Sequence, residues 1–146
     1  MSTLRELMCD DHRRCDDCFV AVEQAVAAAA WDAAGTAFGR FEQAMQQHFV
    51  AEETVLFPAF EQASGMRAGP TQVMRAEHAQ MRQLLEAAEG SLAARDAQDY
   101  SGNAETLLIM MQQHNMKEEN ILYPMCEQHL AGAPEILAQL RRALAG

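Results

Sequence analysis

Hydrophobic spacing divides this chain into amphipathic helices and little else. Leu4, Leu7, Met8, Phe19, Val22 and Val26 recur at helical intervals, and Thr3 with Glu6 ahead of them has the form of a capping box. A first helix is therefore predicted to start after Thr3 and end near Ala30. A second stripe, Phe38, Phe41, Met45, His48, Glu52 and Val55, follows Asp32, which is placed to cap it. It stops before Gly65, the residue type that suits the left-handed position past a helix end. Gly69-Pro70-Thr71 punctuates the chain, and a third helix is expected from about Thr71 to Ala94 and a fourth from about Asp96 to His129. Ile136, Leu137, Leu140 and Leu144 then form a short amphipathic stretch, about 134–145, with Pro134 in its first turn.

Composition agrees with this reading. Ala, Leu, Gln, Glu and Met, which lose little entropy in helices, dominate a chain poor in Ile and Val. The expected fold is all-α: an antiparallel up-down-up-down four-helix bundle with a short C-terminal fifth helix covering an end or side. A length of 146 residues suits one domain spanning 1–146.

The sequence also repeats. MQQHFVAEETVLFPAFEQ from Met45 aligns without a gap with MQQHNMKEENILYPMCEQ from Met111, an offset of 66 residues. A long period with two copies indicates two fused halves of one domain, about 3–65 and 69–131, and not a solenoid. Pro58 and Pro124 fall at matching places. Each removes a backbone donor and crowds the carbonyl four residues earlier, at Thr54 and Asn120, so each long helix is expected to kink just beyond Glu52 and Glu118.

The repeat carries the candidate chemistry. His12 and His78 are 66 apart, as are His48 and His114, and Glu52 and Glu118 follow the second pair by four residues. That spacing puts imidazole and carboxylate on one helical face, one turn apart. A carboxylate on an apolar stripe is expensive unless paired or metal-bound. Four imidazoles and two carboxylates converging in a bundle invite two divalent cations, and imidazole with carboxylate suits iron best, with zinc or manganese also accepted. Six protein donors shared by two ions leave positions for an exogenous oxygen species, whereas a structural zinc site closes itself with four.

The order His12, His48-x-x-x-Glu52, His78, His114-x-x-x-Glu118, with Leu56-Phe57-Pro58 and Leu122-Tyr123-Pro124 trailing the glutamates, resembles the hemerythrin-like HHE cation-binding domain over nearly the whole chain. The resemblance implies a non-haem di-iron centre with two histidines per iron, bridged by the glutamates and an oxo or hydroxo group. Oxygen-carrying hemerythrins add a fifth histidine in a His-x-x-x-His pair on the third helix. Here the four-residue neighbours of His78 are Met74 and Arg82. That departure shifts the expectation from reversible oxygen carriage toward proteins tied to O2 or NO sensing, peroxide, or repair of iron centres. His129, eleven residues beyond Glu118, lies about 16 Å further along the helix and is read as a cation at a helix C-terminus.

Other residues near the six have two readings each. Glu53 and Glu119 are either solvated or partners of the ligands. Met8, Met45, Met74 and Met111 each precede a candidate histidine by three or four residues, as core filling or as soft donors of a copper site, which the carboxylates argue against. Cys9, Cys15 and Cys18 surround His12 without counterparts in the second half, either as packing or as thiols serving the centre's redox chemistry. Tyr123 can approach the metals, although Phe57 holds the matching place without a hydroxyl.

Net charge narrows the partners. With 21 acidic and 11 basic residues, a formal charge of −10 disfavours nucleic acid and anionic membrane. MSTLRELMCDDHRR offers no apolar targeting segment, and nothing approaches the roughly 18 apolar residues of a membrane span, so a cytoplasmic location is expected. The preferred function is a di-iron protein that binds or responds to O2, NO or peroxide, with a protein partner or redox donor allowed. The alternatives are an enzyme that reduces NO or peroxide or donates iron to damaged iron-sulfur centres, and a module that only holds metal.

Overall fold

The computed structural model describes residues 2–146. Its helices are α1 (Leu4–Ala27), α2 (Trp31–Ala51), α3 (Phe57–Ser64), α4 (Pro70–Ala93), α5 (Ala97–Lys117), α6 (Tyr123–His129) and α7 (Pro134–Ala145). A π-helical turn at Glu52–Leu56 joins α2 to α3, and another at Glu118–Leu122 joins α5 to α6, so the chain forms four long rods and a short fifth. α1 packs along α2, α4 along α5, α2 against α4, and α1 against α5 and α6, which closes an up-down-up-down bundle. α7 lies against α2, α1 and the first π turn, with Leu140 fully buried.

Local chemistry sets most boundaries. Thr3 and Glu6 form both halves of the capping box. Gly65 ends α3 at φ 74°, where a side chain would be strained. Turns at Ala28–Ala30 and 94–96 mirror one another: Ala29 and Arg95 both adopt φ 53°, and the following amides bond back to Ala25 and Ser91, as in a Schellman motif without glycine. Only the second turn ends in a side-chain cap, Asp96 accepting from the Asp99 amide. Its counterpart is Ala30, so α2 begins at Trp31 without a side-chain cap and Asp32 does not cap it, as its sequence position had implied. Asp32 instead lies in the first turn, where a carboxylate still favours the helix dipole.

Each proline sits in the first turn of the helix that follows a π turn. In each π turn carbonyls pair five residues ahead, as the Phe57 and Tyr123 amides do with Glu52 and Glu118. The next carbonyls, Glu53 and Glu119, would pair with Pro58 and Pro124, which have no N–H. In that register the carbonyls of Glu53 and Glu119 are left without an amide partner. Arginine takes the missing role: Arg5 Nε donates to the Glu119 carbonyl at 2.7 Å and Arg75 Nη1 to that of Glu53 at 3.5 Å.

The core has two apolar clusters. One includes Phe19, Phe38, Phe41, Met45, Leu85, Leu107 and Met111; the other includes Leu4, Met8, Leu56, Phe57, Phe60, Met74, Leu122 and Leu140. Both methionine pairs are therefore core residues. No strand occurs among the described residues, and no helix among them is long and apolar enough to cross a membrane.

Candidate metal centre

His12 comes from α1, His48 from α2, His78 from α4 and His114 from α5, while Glu52 and Glu118 open the two π turns. Helical spacing aims all six inward, and all are buried, none more than 4 % exposed. The structure brings the six candidates together. Donor atoms of Glu52, His78, His114 and Glu118 lie within 4.8 Å of one another, and so do those of His12, His48 and Glu118. Two imidazole pairs therefore face each other across the glutamates: His12 with His48, ring centroids 4.6 Å apart, and His78 with His114 at 5.0 Å.

Every imidazole turns Nε2 to the interior and has its Nδ1 held by a carboxylate. Nδ1 of His12 meets Glu119 at 2.7 Å, that of His48 meets Asp11 at 2.7 Å, that of His78 meets Glu53 at 2.8 Å, and that of His114 meets Glu77 at 2.8 Å. A carboxylate accepts, so Nδ1 carries the proton and a neutral ring presents its Nε2 lone pair to the centre. The pattern obeys the 66-residue repeat crosswise. The acid preceding His12 or His78 holds the histidine of the adjoining helix, and the acid following Glu118 or Glu52 holds His12 or His78. Bases clamp three of these acids in turn: Arg14 on Asp11, Arg82 on Glu53 through two bonds of 2.8 and 2.9 Å, and Lys117 on Glu77.

Charge follows from this arrangement. Burial pushes the Asp11 carboxyl up, but hydrogen bonds from His48 and Arg14 outweigh it and hold it below the usual range. Burial disfavours charge on His114, yet the Glu118 carboxylate beside it raises the ring to about 9. Burial likewise opposes ionisation of Glu118, and His114 with further hydrogen bonds pulls it well below 4.5. Without a cation His114 and Glu118 thus form a buried pair of opposite charges, and a cation taking the place of the proton on the ring would release it.

The donors fit a metal better than they fit each other. His78 Nε2 and Glu52 Oε1 are 3.0 Å apart, and His114 Nε2 and Glu118 Oε1 are 3.2 Å apart, but neither ring N–H aims at its neighbour. His78 Nε2, His114 Nε2, Glu52 Oε1 and Glu118 Oε2 are fully buried without a hydrogen bond. Buried polar atoms left unpaired cost about 1–3 kcal/mol each, so four in one cluster mark donors shaped for a cation.

Asp11 and Glu77 were not visible as site residues from spacing alone, although the acid–His pair repeats at 66 residues. Glu53 and Glu119, open to two readings in the sequence, hold histidines. Cys9, Cys15 and Cys126 are buried, burial pushes Cys15 up to about 12 and also raises Cys9 and Cys126, and a protonated thiol is a poor redox partner, while Cys18 is half-buried against the first apolar cluster. His129 is exposed at the end of α6, with its ring against Phe60.

The histidine–acid bonds make a prediction of their own. Asp11→Asn and Glu77→Gln, which keep shape but lose charge, are expected to weaken metal binding about 10- to 100-fold each. Competition against a chromophoric chelator measures this, and affinities equal to the parent's would show that these bonds do not tune the ligands.

One comparison with known proteins identifies relatives. The model of a family described as hemerythrin HHE cation binding domain matches residues 3–126. No curated protein and no solved structure gives a significant match.

Proposed function

The chain belongs to the hemerythrin HHE cation-binding family, and from that premise we propose that it is a non-haem di-iron protein that binds or responds to O2, NO or peroxide. His12, His48, Glu52, His78, His114 and Glu118 would hold the ions, both glutamates being available to the two. The observation that carries the reading is the set of inward, buried donors, four of them without any hydrogen-bond partner. Imidazole and carboxylate together suit iron, with zinc and manganese as competitors. The metals supply electron transfer and open coordination positions for a small ligand. An oxo or hydroxo group completing the bridge is part of the same proposal.

The protein's own residues perform the rest. Acidic clamps on Nδ1 fix each ring so that little reorganisation accompanies binding of the ions. Apolar clusters on both sides keep bulk water away and strengthen each electrostatic contact. The six donors are buried among apolar side chains, which favours a small diatomic or peroxide over an organic substrate. A cytoplasmic setting, where the thiols stay reduced, completes the reading.

Metal analysis of anaerobically purified protein, with optical spectra before and after O2 or NO, tests the proposal. About two irons per chain and a ligand-dependent spectral change are expected. Rapid oxidation by O2 favours sensing or catalysis over carriage, and protein that takes up zinc but never iron would sink the di-iron reading.

A further inference from the structure

The two halves repeat their ligands, yet the two metal positions are not equivalent. Position 57 is Phe and its counterpart 123 is Tyr. Tyr123 Oη lies 2.7 Å from Glu52 Oε2 and 2.9 Å from Glu118 Oε1, and 3.2 and 3.3 Å from Nε2 of His12 and His48. On the other side Phe57 and Phe49 stack on His78, with ring centroids 5.6 and 4.2 Å away, and offer no donor. The four unpaired donor atoms include both Nε2 atoms of that side and neither of the Tyr123 side.

Distances between donors say what the phenol is doing. An ion with six ligands at about 2.1 Å separates adjacent ligands by about 3.0 Å. His12 Nε2 to Glu118 Oε1 is 3.1 Å and His48 Nε2 to Glu52 Oε1 is 3.5 Å, close to such an edge. The four distances from Oη straddle the same value. An oxygen standing in the ion's own place would be near 2.1 Å from each donor, and Oη is not.

We infer that Tyr123 Oη is a direct ligand of the ion held by His12 and His48, so that the site carries seven protein ligands and not six. The inference rests on the two-metal reading proposed above. On binding, the metal–oxygen bond forms, the phenolic O–H bond breaks and its proton passes to solution, with no change of oxidation state. A bound cation makes this favourable, as it does for coordinated water. Counting Glu52 and Glu118 for both ions, the ion with His12, His48 and Tyr123 has five protein donors, and the ion with His78 and His114 has four. An exogenous ligand therefore binds at the His78–His114 ion.

Iron-loaded, air-oxidised protein decides the matter. Wild type is expected to show phenolate-to-iron(III) charge-transfer absorption and resonance-enhanced phenolate vibrations worth one tyrosinate per chain. Tyr123→Phe loses all of that band, holds a pair of irons at saturating metal, and binds one of them at least tenfold more weakly. Tyr100→Phe, which removes the other tyrosine from the apolar cluster away from the site, keeps the band whole. Phe57→Tyr places a second phenol on the opposite ion, and is expected to double the band and block small-ligand binding. A band that survives Tyr123→Phe, or no band in wild type holding a pair of irons, overturns this assignment and leaves the di-iron reading standing. If wild type takes up no iron, both fall together.

Discussion

Glu118→Gln is expected to leave the protein unable to hold a pair of metals. Glu118 is the one residue common to both donor clusters, and its Oε1 is 3.1 Å from His12 Nε2, 3.2 Å from His114 Nε2 and 2.9 Å from Tyr123 Oη. An amide keeps the shape, but presents one neutral acceptor and two donors where two ions need anionic oxygen. Iron content is expected to fall to at most one per chain, with affinity for the remaining ion reduced at least a hundredfold. The metal-free variant is destabilised as well, by about 3–5 kcal/mol, because His114 loses the anion that balances its buried charge. Elemental analysis and thermal unfolding read the two effects separately. Full iron content with parental affinity in Glu118→Gln would falsify the proposed sharing of Glu118 between two ions.

Removing the metal should invert the dependence of stability on pH. In chelator-treated protein, His114 titrates near 9 against about 6.5 when unfolded. A raised imidazole stabilises fully below the unfolded value, and the contribution disappears as pH rises toward 9. Counted once for the His114–Glu118 pair, it amounts to about 3 kcal/mol. Glu118, held below 4.5, contributes in the opposite sense, complete above that value and lost as pH falls through its lower folded value. Metal-loaded protein behaves otherwise, since protons compete with the ions for Nε2 and its stability grows over the same interval. Each ion at a thousandfold excess over its Kd adds about 4 kcal/mol, or on the order of 10 °C in Tm for a chain of this size. Unfolding temperatures from pH 6 to 9, with iron and with chelator, are expected to diverge. Parallel curves would mean that the buried histidines are not what the metal displaces.

The sequence exposed the fold because bundles are written in local terms. Thr3 with Glu6, Gly65, Asp96 and Pro134 act on backbone groups within a few residues, so their meaning survives without a structure. Asp32 misled because a capping type near a boundary does not fix which residue is the cap. Prolines 58 and 124 were read against an α-helical register, whereas in the π turns the amide each proline lacks is the one that would face Glu53 or Glu119.

The six ligand candidates were legible for the same reason, since His-x-x-x-Glu is a within-helix relation and the 66-residue offset marks its duplicate. Pairing between helices was not. Asp11 holding His48 spans 37 residues and Glu119 holding His12 spans 107, and nothing in the spacing says which acid meets which ring. The Tyr123 and Phe57 difference was visible as letters, but only packing put the hydroxyl against His12 and His48. Sequence alone determined the helices, their inward faces and the donor types, because those follow from periodicity and chemistry within a turn or two. Tertiary structure decided which imidazoles pair, which carboxylates orient them and which side is asymmetric, because those depend on how the rods settle against one another.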